Sequence, residues 1–360
     1  MELHLWLVAN VISLRASYKP NPDYIGRFES LPKPKVYVTR EMPERGLSSI
    51  KEKFEAEVWP EYAPPPKKLI IEKAAKVDAL ATLLSDKIDA EVFNAAPNLK
   101  IVAQMAVGFD NIDIPEATKR GIYVTNTPGV LTETTADFAW ALLMSVARRT
   151  VEADKYVRTG QWKVGWHPMM LQGRDVYGAT LGIVGLGRIG CAIAQRAKGF
   201  SMKVLYNDIA RRPDFEKEYD IQYVDVDFLF KNADFITINV PLMKETHHLV
   251  DENKLKMMKK TAYIINNARG PVVDEKALHK ALKEGWIAGA GLDVFEQEPT
   301  PLDNPLLKLD NVVVAPHISS ASYETRSKMA EMVADNLIAY FEGKTPPNLV
   351  NTEVAKQKKP

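Results

Sequence analysis

Three glycines, Gly185, Gly187 and Gly190, follow a short apolar run, and an acidic residue, Asp208, comes 18 residues after the last of them. In such a pattern the first glycine permits a tight turn, the second lets the backbone approach a pyrophosphate, and the third lets a helix lie close to the preceding strand. Amide groups at the start of that helix hold the phosphates, and an acid about 20 residues on binds ribose hydroxyls. The pattern therefore predicts a dinucleotide-binding site.

Asp208 also bears on which dinucleotide is bound. A carboxylate at this position pairs with a ribose 2′-OH and repels a 2′-phosphate, which favours NAD over NADP. Arg211 and Arg212 lie just beyond it and would offer a phosphate some compensation, so the use of both cofactors stays open. The alternative interpretation of the glycines is a turn in another kind of α/β sheet.

Three ionisable residues, Arg269, Glu298 and His317, lie just past predicted strands later in the chain. Each has an ordinary alternative role, as a solvated loop charge, a surface acid or a hydrogen-bonded packing histidine. Ligands of open α/β sheets bind outside the carboxyl ends of the strands. Because all three residues fall at that edge of the sheet, they are predicted to belong to a functional site.

The elements that would position these residues alternate between strands and helices. In the second half, strands are predicted over 181–184, 202–206, 234–240, 261–266, 288–294 and 312–315. In the first half, predicted strands over 35–39, 79–83, 100–105 and 122–125 alternate with helices over 47–54, 68–75, 90–95 and 114–120. This alternation predicts an α/β fold with two doubly wound parallel-sheet domains, of which only the second carries the glycine pattern.

Two longer helices and one loop-rich segment complete the pattern. Thr132 is predicted as the N-cap of a helix that is apolar on nearly every side over 138–146, which indicates burial between domains and against a second subunit. A last long helix is predicted over 322–342. The segment 155–177 is predicted to be loop-rich, and its apolar side chains indicate an oligomer contact.

Composition limits the classes of protein that remain. A chain of 360 residues, 46% hydrophobic and 26% charged, is typical of a globular protein with two domains. The net charge of +1 gives no reason to expect nucleic acid or a membrane as a partner. The single cysteine, Cys191, excludes an intramolecular disulfide and favours the cytoplasm. Residues 1–33 lack the features of a signal peptide and are predicted to form an irregular N-terminal extension.

Several stretches together resemble the D-isomer-specific 2-hydroxyacid dehydrogenases, and within them most closely the glyoxylate/hydroxypyruvate reductases. Besides the glycine pattern, the matching stretches are VGFDNID (107–113), TNTPGVLTETTAD (125–137), INNARGPVVDE (265–275), AGAGLDVFEQEP (288–299) and APHISSAS (315–322). The resemblance implies a flavodoxin-like substrate-binding domain, discontinuous over 34–129 and 319–360. It also implies an NAD-binding Rossmann domain over 130–318, with a cleft between the two.

The resemblance also assigns roles to residues. Arg269 would orient the substrate, His317 would act as the acid–base group, and Glu298 would hold its other ring nitrogen. Substrate contacts are implied for Leu84, Ser85, Val107, Gly108, Arg269 and Trp166, the last from a neighbouring subunit. Asp293 would meet the nicotinamide carboxamide. Cofactor contacts are implied for Thr135, Gly185, Leu186, Gly187, Arg188, Ile189, Gly190, Asn207, Asp208, Ile209, Pro241, Asn267, Ala268, Arg269, Asp293, His317, Ile318 and Ser319.

The implied activity is the NADH-dependent reduction of a small 2-oxoacid, glyoxylate or hydroxypyruvate, by a homodimer that requires no metal. Ile209 stands where NADP-dependent relatives carry a basic residue, and this further favours NAD. Asn267 stands where relatives often carry a smaller or apolar residue. Two alternatives remain: another 2-hydroxyacid dehydrogenase of the D-lactate or 3-phosphoglycerate type, and a dinucleotide-sensing binding protein on the same fold.

Overall fold

The computed structural model describes residues 32–357, so the prediction for residues 1–33 falls almost entirely outside the described part of the chain. The first sheet has five parallel strands in the order β2-β1-β3-β4-β5. They are β1 (Lys35–Val38), β2 (Glu55–Val58), β3 (Ala79–Thr82), β4 (Ile101–Gln104) and β5 (Tyr123–Thr125). This is the strand order of flavodoxin-like folds.

Helices cover both faces of the first sheet, which is why β3 and β4 bury every residue. The connecting helices are α1 (Glu44–Lys53), α2 (Lys67–Ala74), α3 (Ala90–Ala95) and α4 (Ile114–Lys119). Asp89 caps α3 and Asp113 caps α4, because each carboxylate accepts a hydrogen bond from a backbone amide in the first turn.

The second sheet has seven parallel strands in the order β12-β11-β10-β9-β6-β7-β8. They are β6 (Thr180–Val184), β7 (Lys203–Asn207), β8 (Ile221–Tyr223), β9 (Phe235–Ile238), β10 (Tyr263–Asn266), β11 (Gly289–Leu292) and β12 (Val312–Val314). The order reverses between β6 and β9, and in open α/β sheets a crevice for ligands forms at such a switch point. The connecting helices are α7 (Arg188–Ala197), α8 (Pro213–Tyr219), α9 (Val226–Asn232), α10 (Glu252–Met257) and α11 (Glu275–Lys283).

Two long helices link the sheets. Helix α5 (Thr132–Ala147) packs on the second sheet and is followed by α6 (Thr150–Arg158). Helix α12 (Tyr323–Phe341) returns to the first sheet and packs on α1 and β4, before the short α13 (Glu353–Gln357). Between these last two helices the Asn351 side chain accepts a hydrogen bond from the Val124 amide of β5, at 2.8 Å. The end of the chain therefore lies against the first sheet.

The predicted fold class is confirmed, with two parallel-sheet α/β units, although the exact domain boundaries stay a prediction. Strands β2 and β8 and helices α6, α8, α9 and α10 were not predicted. Most are short, and the edge strand β2 alternates exposed and half-buried residues instead of forming an apolar run. The segment 155–177 is therefore not all loop, since α6 runs to Arg158.

One prediction for α5 is corrected. The N-cap residue is Leu131, without a side-chain cap, because a turn in which the Thr132 amide bonds the Gly129 carbonyl makes Thr132 the first helical residue. The expected burial against a second subunit stays a prediction, and in the single chain Ala141 is exposed and Phe138 and Met144 are half-buried.

Gly46 in α1 lies where α1 meets α12, and a Cβ there would fall 2.2 Å from the backbone carbon of Ala330. We predict that Gly46→Ala destabilises the protein by about 1–3 kcal/mol, because neither backbone can yield easily. Helix propensity alone would have the opposite sign. The check is thermal unfolding against Gly199→Ala, an exposed glycine whose added Cβ would meet nothing within 4 Å. Equal unfolding temperatures for the two variants would contradict the packing argument.

Candidate active site

Arg269, Glu298 and His317 follow three adjacent strands, β10, β11 and β12, at their carboxyl edge. The Nδ1 atom of His317 lies 2.7 Å from Oε2 of Glu298, and Oε1 of Glu298 accepts a hydrogen bond from the Phe295 amide at 3.0 Å. A carboxylate at Nδ1 favours the tautomer that carries a proton there. Nε2 of His317 has no partner within residues 32–357, so this atom is available to a ligand.

The environment of Glu298 keeps it charged. Burial alone would raise the pKa of its carboxyl group. The hydrogen bond and positive charge of His317, the Phe295 amide and the nearby charge of Arg269 outweigh burial and lower the pKa below its ordinary value. Glu298 is therefore an anion near neutral pH and accepts a hydrogen bond at Nδ1 of His317.

A buried carboxylate, Asp293, holds the backbone that carries His317. Asp293 is fully buried at the end of β11, and its oxygens accept hydrogen bonds from the amides of Ile318 and Ser319, each at 2.8 Å. The His317 amide bonds the Asp293 carbonyl, also at 2.8 Å. His317 itself has a left-handed backbone conformation, with φ +54°, which is uncommon outside glycine. These contacts fix the histidine in that conformation.

Arg269 joins the two sheets. Its Nε donates to Oδ1 of Asp110 at 3.0 Å, and its Nη1 donates to the Ala268 carbonyl at 2.8 Å. A Cβ on Gly108 would lie only 1.6 Å from Nη2 of Arg269, so the guanidinium group lies directly over that glycine. Gly108 and Asp110 follow β4 of the first sheet. Nη2 has no acceptor in the described part of the chain and lies beside the Gly108 backbone.

The loop after β3 brings the other predicted substrate residues close to this point. Leu84 and Ser85 line an open cavity of about 420 Å³ together with Asp110. The buried carboxylate of Asp86 shapes the loop, since it accepts hydrogen bonds from the Thr39 hydroxyl and from the Leu83 amide.

Sequence reasoning missed two acids, Asp110 and Asp86. Both follow strands of the first sheet at the edge that carries the predicted ligand contacts, and Asp110 lies two residues after Gly108. Their positions after these strands were the available signal. Their side-chain partners, however, are distant in sequence: Arg269 for Asp110, and Thr39 for Asp86.

The glycine turn after β6 fits a dinucleotide. Gly185 has φ +93°, and a Cβ on Gly190 would lie 2.2 Å from the Gly185 carbonyl oxygen, so both positions require glycine. A Cβ on Gly187 would meet nothing within 4 Å, which leaves open space at the start of α7. Asp208, at the end of β7, accepts a hydrogen bond from the Leu186 amide at 2.6 Å and so lies beside the turn. This is the arrangement that a pyrophosphate and an adjacent ribose require.

The remaining predicted residues differ in how closely they approach these groups. Asn267 is buried and its Nδ2 lies 3.4 Å from the Thr135 carbonyl, whereas its Oδ1 has no donor within residues 32–357. A buried amide oxygen of this kind fits a donor from a ligand. Pro241 is exposed in the loop after β9. Trp166 is 77% exposed and its proposed contact with a second subunit stays a prediction.

Fold and site together define a dinucleotide-dependent oxidoreductase with a histidine–carboxylate pair. A family model described as "D-isomer specific 2-hydroxyacid dehydrogenase, NAD binding domain" matches residues 140–319, and the chain belongs to this family. The predicted family is thereby confirmed.

Individual relatives are similar over nearly their whole length. The chain is 67% identical over 328 residues to a glyoxylate reductase of Korarchaeum cryptofilum, covering 91% of this chain and 99% of that protein. A crystal structure of a Thermus thermophilus protein matches with a TM-score of 0.83 and 44% identity, covering 88% and 99% of the two chains. An NADPH-dependent glyoxylate/hydroxypyruvate reductase of Sinorhizobium meliloti, solved with NADP and malonate, matches with a TM-score of 0.80 and 35% identity over 89% and 98%.

Within residues 32–357, every helix is too short or too polar to cross a membrane.

The lowered pKa of Glu298 gives a prediction about stability. The folded-state pKa lies below the ordinary value of 4.5, so ionisation of Glu298 contributes stability above that value, which is lost as pH falls through the lowered pKa. We predict that wild type unfolds at a higher temperature than Glu298→Gln at pH 6, and that this difference becomes smaller as the pH falls to 3. Glu61→Gln, at an exposed residue with no ion pair in the described chain, is the control. A difference that stays constant or grows in acid would contradict the assignment.

Proposed function

We propose that this protein is a glyoxylate/hydroxypyruvate reductase, which reduces a small 2-oxoacid to the 2-hydroxyacid with NADH. The observation that carries the proposal is the meeting of Arg269 with Gly108 across the cleft, next to the strand ends that bear His317 and Glu298. The glycine turn and Asp208 support the dinucleotide. The 67% identical relative is a glyoxylate reductase, and the matched Sinorhizobium meliloti enzyme is a glyoxylate/hydroxypyruvate reductase.

Arg269 and the loop after β4 account for substrate binding in this proposal. The carboxylate of a 2-oxoacid would accept hydrogen bonds from the amides of Val107 and Gly108. Nη2 of Arg269 lies over the same glycine and would orient the carboxylate and the ketone oxygen. Asp110 and the Ala268 carbonyl occupy the other two nitrogens, so the guanidinium plane is already set before substrate arrives.

His317 supplies the proton in the reductive direction. NADH, when bound, supplies the hydride to the carbonyl carbon. The ketone oxygen then becomes anionic and takes a proton from Nε2 of His317, while Glu298 on Nδ1 stabilises the imidazolium beforehand. In the oxidative direction the neutral imidazole removes the proton from the hydroxyl group. Nδ1 stays bound to Glu298 throughout, so the ring does not need to turn.

NADH is proposed over NADPH because Asp208 and Ile209 would face the adenosine ribose of a cofactor bound at the glycine turn. The carboxylate of Asp208 repels a 2′-phosphate, and the exposed apolar side chain of Ile209 offers it no charge. A homodimer in the cytoplasm is proposed as well. The segment that follows α6 supports the dimer, because it exposes four large apolar side chains, those of Trp162, Val164, Trp166 and Met169.

The proposal is tested by following oxidation of NADH and of NADPH by the purified protein with glyoxylate, hydroxypyruvate, pyruvate and phosphohydroxypyruvate. We expect fast turnover of the first two with NADH and slower turnover with NADPH. Preference for pyruvate or for phosphohydroxypyruvate would indicate a D-lactate or 3-phosphoglycerate type of enzyme. Tight dinucleotide binding without turnover of any of the four would contradict an enzymatic role on these substrates.

For the proton donor, we predict that His317→Ala lowers turnover of glyoxylate by about 10²- to 10⁴-fold, the range that general acid catalysis supplies. The dissociation constant of NADH, measured by protein fluorescence, should change little, since the proton donor is needed only in the chemical step. His279→Ala, at a histidine on α11, is the matched control and should keep wild-type turnover. Near-normal turnover of His317→Ala would remove this residue from the acid role.

For substrate orientation, we predict that Arg269→Lys raises the KM for glyoxylate and lowers kcat, although the charge is kept. An ammonium group is a point charge and cannot contact Asp110, the Ala268 carbonyl and a substrate carboxylate in one plane. Steady-state kinetics give the result, with Arg45→Lys, in a surface ion pair with Glu331, as control. Unchanged KM and kcat in Arg269→Lys would contradict the orienting role.

A further inference from the structure

The loop that follows β7 contains a cation, Arg211, whose charge is already paired with the carboxylate of Glu216. Nε of Arg211 donates to Oε1 of Glu216 at 2.8 Å, and Nη2 donates to Oε2 at 2.8 Å. Both carboxylate oxygens are thus held by two nitrogens of one guanidinium group, which is the strong bidentate form of this pair. The Glu216 side chain is only 12% exposed, whereas that of Arg211 is 62% exposed.

A second contact keeps Glu216 in place. The ring of Tyr206 is fully buried in β7, and its hydroxyl donates to Oε1 of Glu216 at 2.6 Å. The same hydroxyl accepts a hydrogen bond from the Arg212 amide at 2.8 Å. Glu216 is therefore anchored to the sheet itself, and Arg211 is anchored to the sheet through Glu216.

The pair lies beside the residue that would bind the adenosine ribose. The guanidinium carbon of Arg211 lies 5.8 Å from the centre of the Tyr223 ring, and the Tyr223 hydroxyl lies 3.5 Å from the Asp208 carbonyl. In NADP-dependent proteins with this fold, an arginine near this position accommodates the 2′-phosphate. Arg211 thus has the type and the location of a phosphate ligand.

The pairing of Arg211 with Glu216 prevents Arg211 from binding a phosphate. The hydrogen bonds from Arg211 and from Tyr206 lower the pKa of Glu216 to about 2, so Glu216 is ionised at any pH at which the protein works. The positive charge of Arg211 is therefore neutralised before a cofactor arrives. The other cation of the loop, Arg212, directs Nη1 towards the Cys191 sulfur on α7, at 3.5 Å.

We propose that Glu216 is a cofactor-specificity residue, which holds Arg211 in a bidentate pair and so keeps it from binding the 2′-phosphate of NADP. The inference rests on the dinucleotide-binding part of the proposed function. Asp208 rejects the phosphate directly, and Glu216 acts through Arg211 by withdrawing the cation that would compensate for Asp208. NAD preference then has two separable origins.

The experiment compares two probes of the adenosine half of the cofactor, adenosine 2′,5′-bisphosphate and 5′-AMP, by isothermal titration calorimetry on the full chain. In Glu216→Gln, which keeps an acceptor for Tyr206, we expect the affinity for the bisphosphate to rise about tenfold, since a released guanidinium group can form a charge-assisted hydrogen bond with the phosphate. The affinity for 5′-AMP should stay within about twofold. Glu218→Gln, at an exposed acid on the same helix with the same change in charge, should change neither affinity.

A substitution of Arg211 provides the second part of the experiment. Added to Glu216→Gln, Arg211→Gln should abolish the gain, because the released guanidinium group is then absent. The proposal is overturned if Glu216→Gln gains no more than Glu218→Gln, or if the double variant keeps the gain. The affinity of Glu216→Gln for 5′-AMP shows separately whether α8 and the dinucleotide site are intact in that variant. These titrations do not read turnover, so failure of the proposed reductase activity would be seen separately, in the 2-oxoacid assay.

Discussion

The contact of Arg269 with Asp110 and Gly108 connects the carboxyl edges of the two sheets, and the candidate active site exists only where those edges meet. A parallel sheet places its loops and any ligand at one edge, and in the proposed function each sheet would supply half of what a 2-oxoacid requires. The first sheet would offer backbone amides at Val107 and Gly108. The second would offer Arg269 and His317. The contact of Arg269 with Asp110 holds these two edges together.

The second sheet arranges its acid–base group through a series of carboxylates. Asp293 is buried and fixes the backbone of residues 317–319, and Glu298 then fixes the ring of His317. Glu298 keeps its charge because the hydrogen bonds from His317 and from the Phe295 amide lower the pKa of its carboxyl group despite burial. The consequence is a histidine whose backbone, tautomer and ring orientation are all determined before a ligand binds.

Local patterns in the sequence predicted the parts of this arrangement that depend on local sterics. The glycine turn was predictable because Gly185 has a positive φ of +93° and because a Cβ on Gly190 would meet the carbonyl oxygen of Gly185, five residues earlier in the chain. Arg269, Glu298 and His317 were predictable as residues at strand ends. Asp110 was not, because its importance arises only when residue 269 of the other sheet reaches it. Helix α8 was missed because it is short and polar, and with it the pairing of Arg211 and Glu216. The predicted N-cap of α5, Thr132, was wrong because the helix begins after a backbone turn at Gly129 and has no side-chain cap.

The measurement that tests the central claim most directly is kcat for glyoxylate reduction by Glu298→Gln, compared with wild type, with the dissociation constant of NADH measured beside it. If His317 donates the proton and Glu298 holds its ring through Nδ1, Glu298→Gln should lower kcat at least about tenfold and leave the dissociation constant of NADH within about twofold. An unchanged kcat in Glu298→Gln would contradict the account.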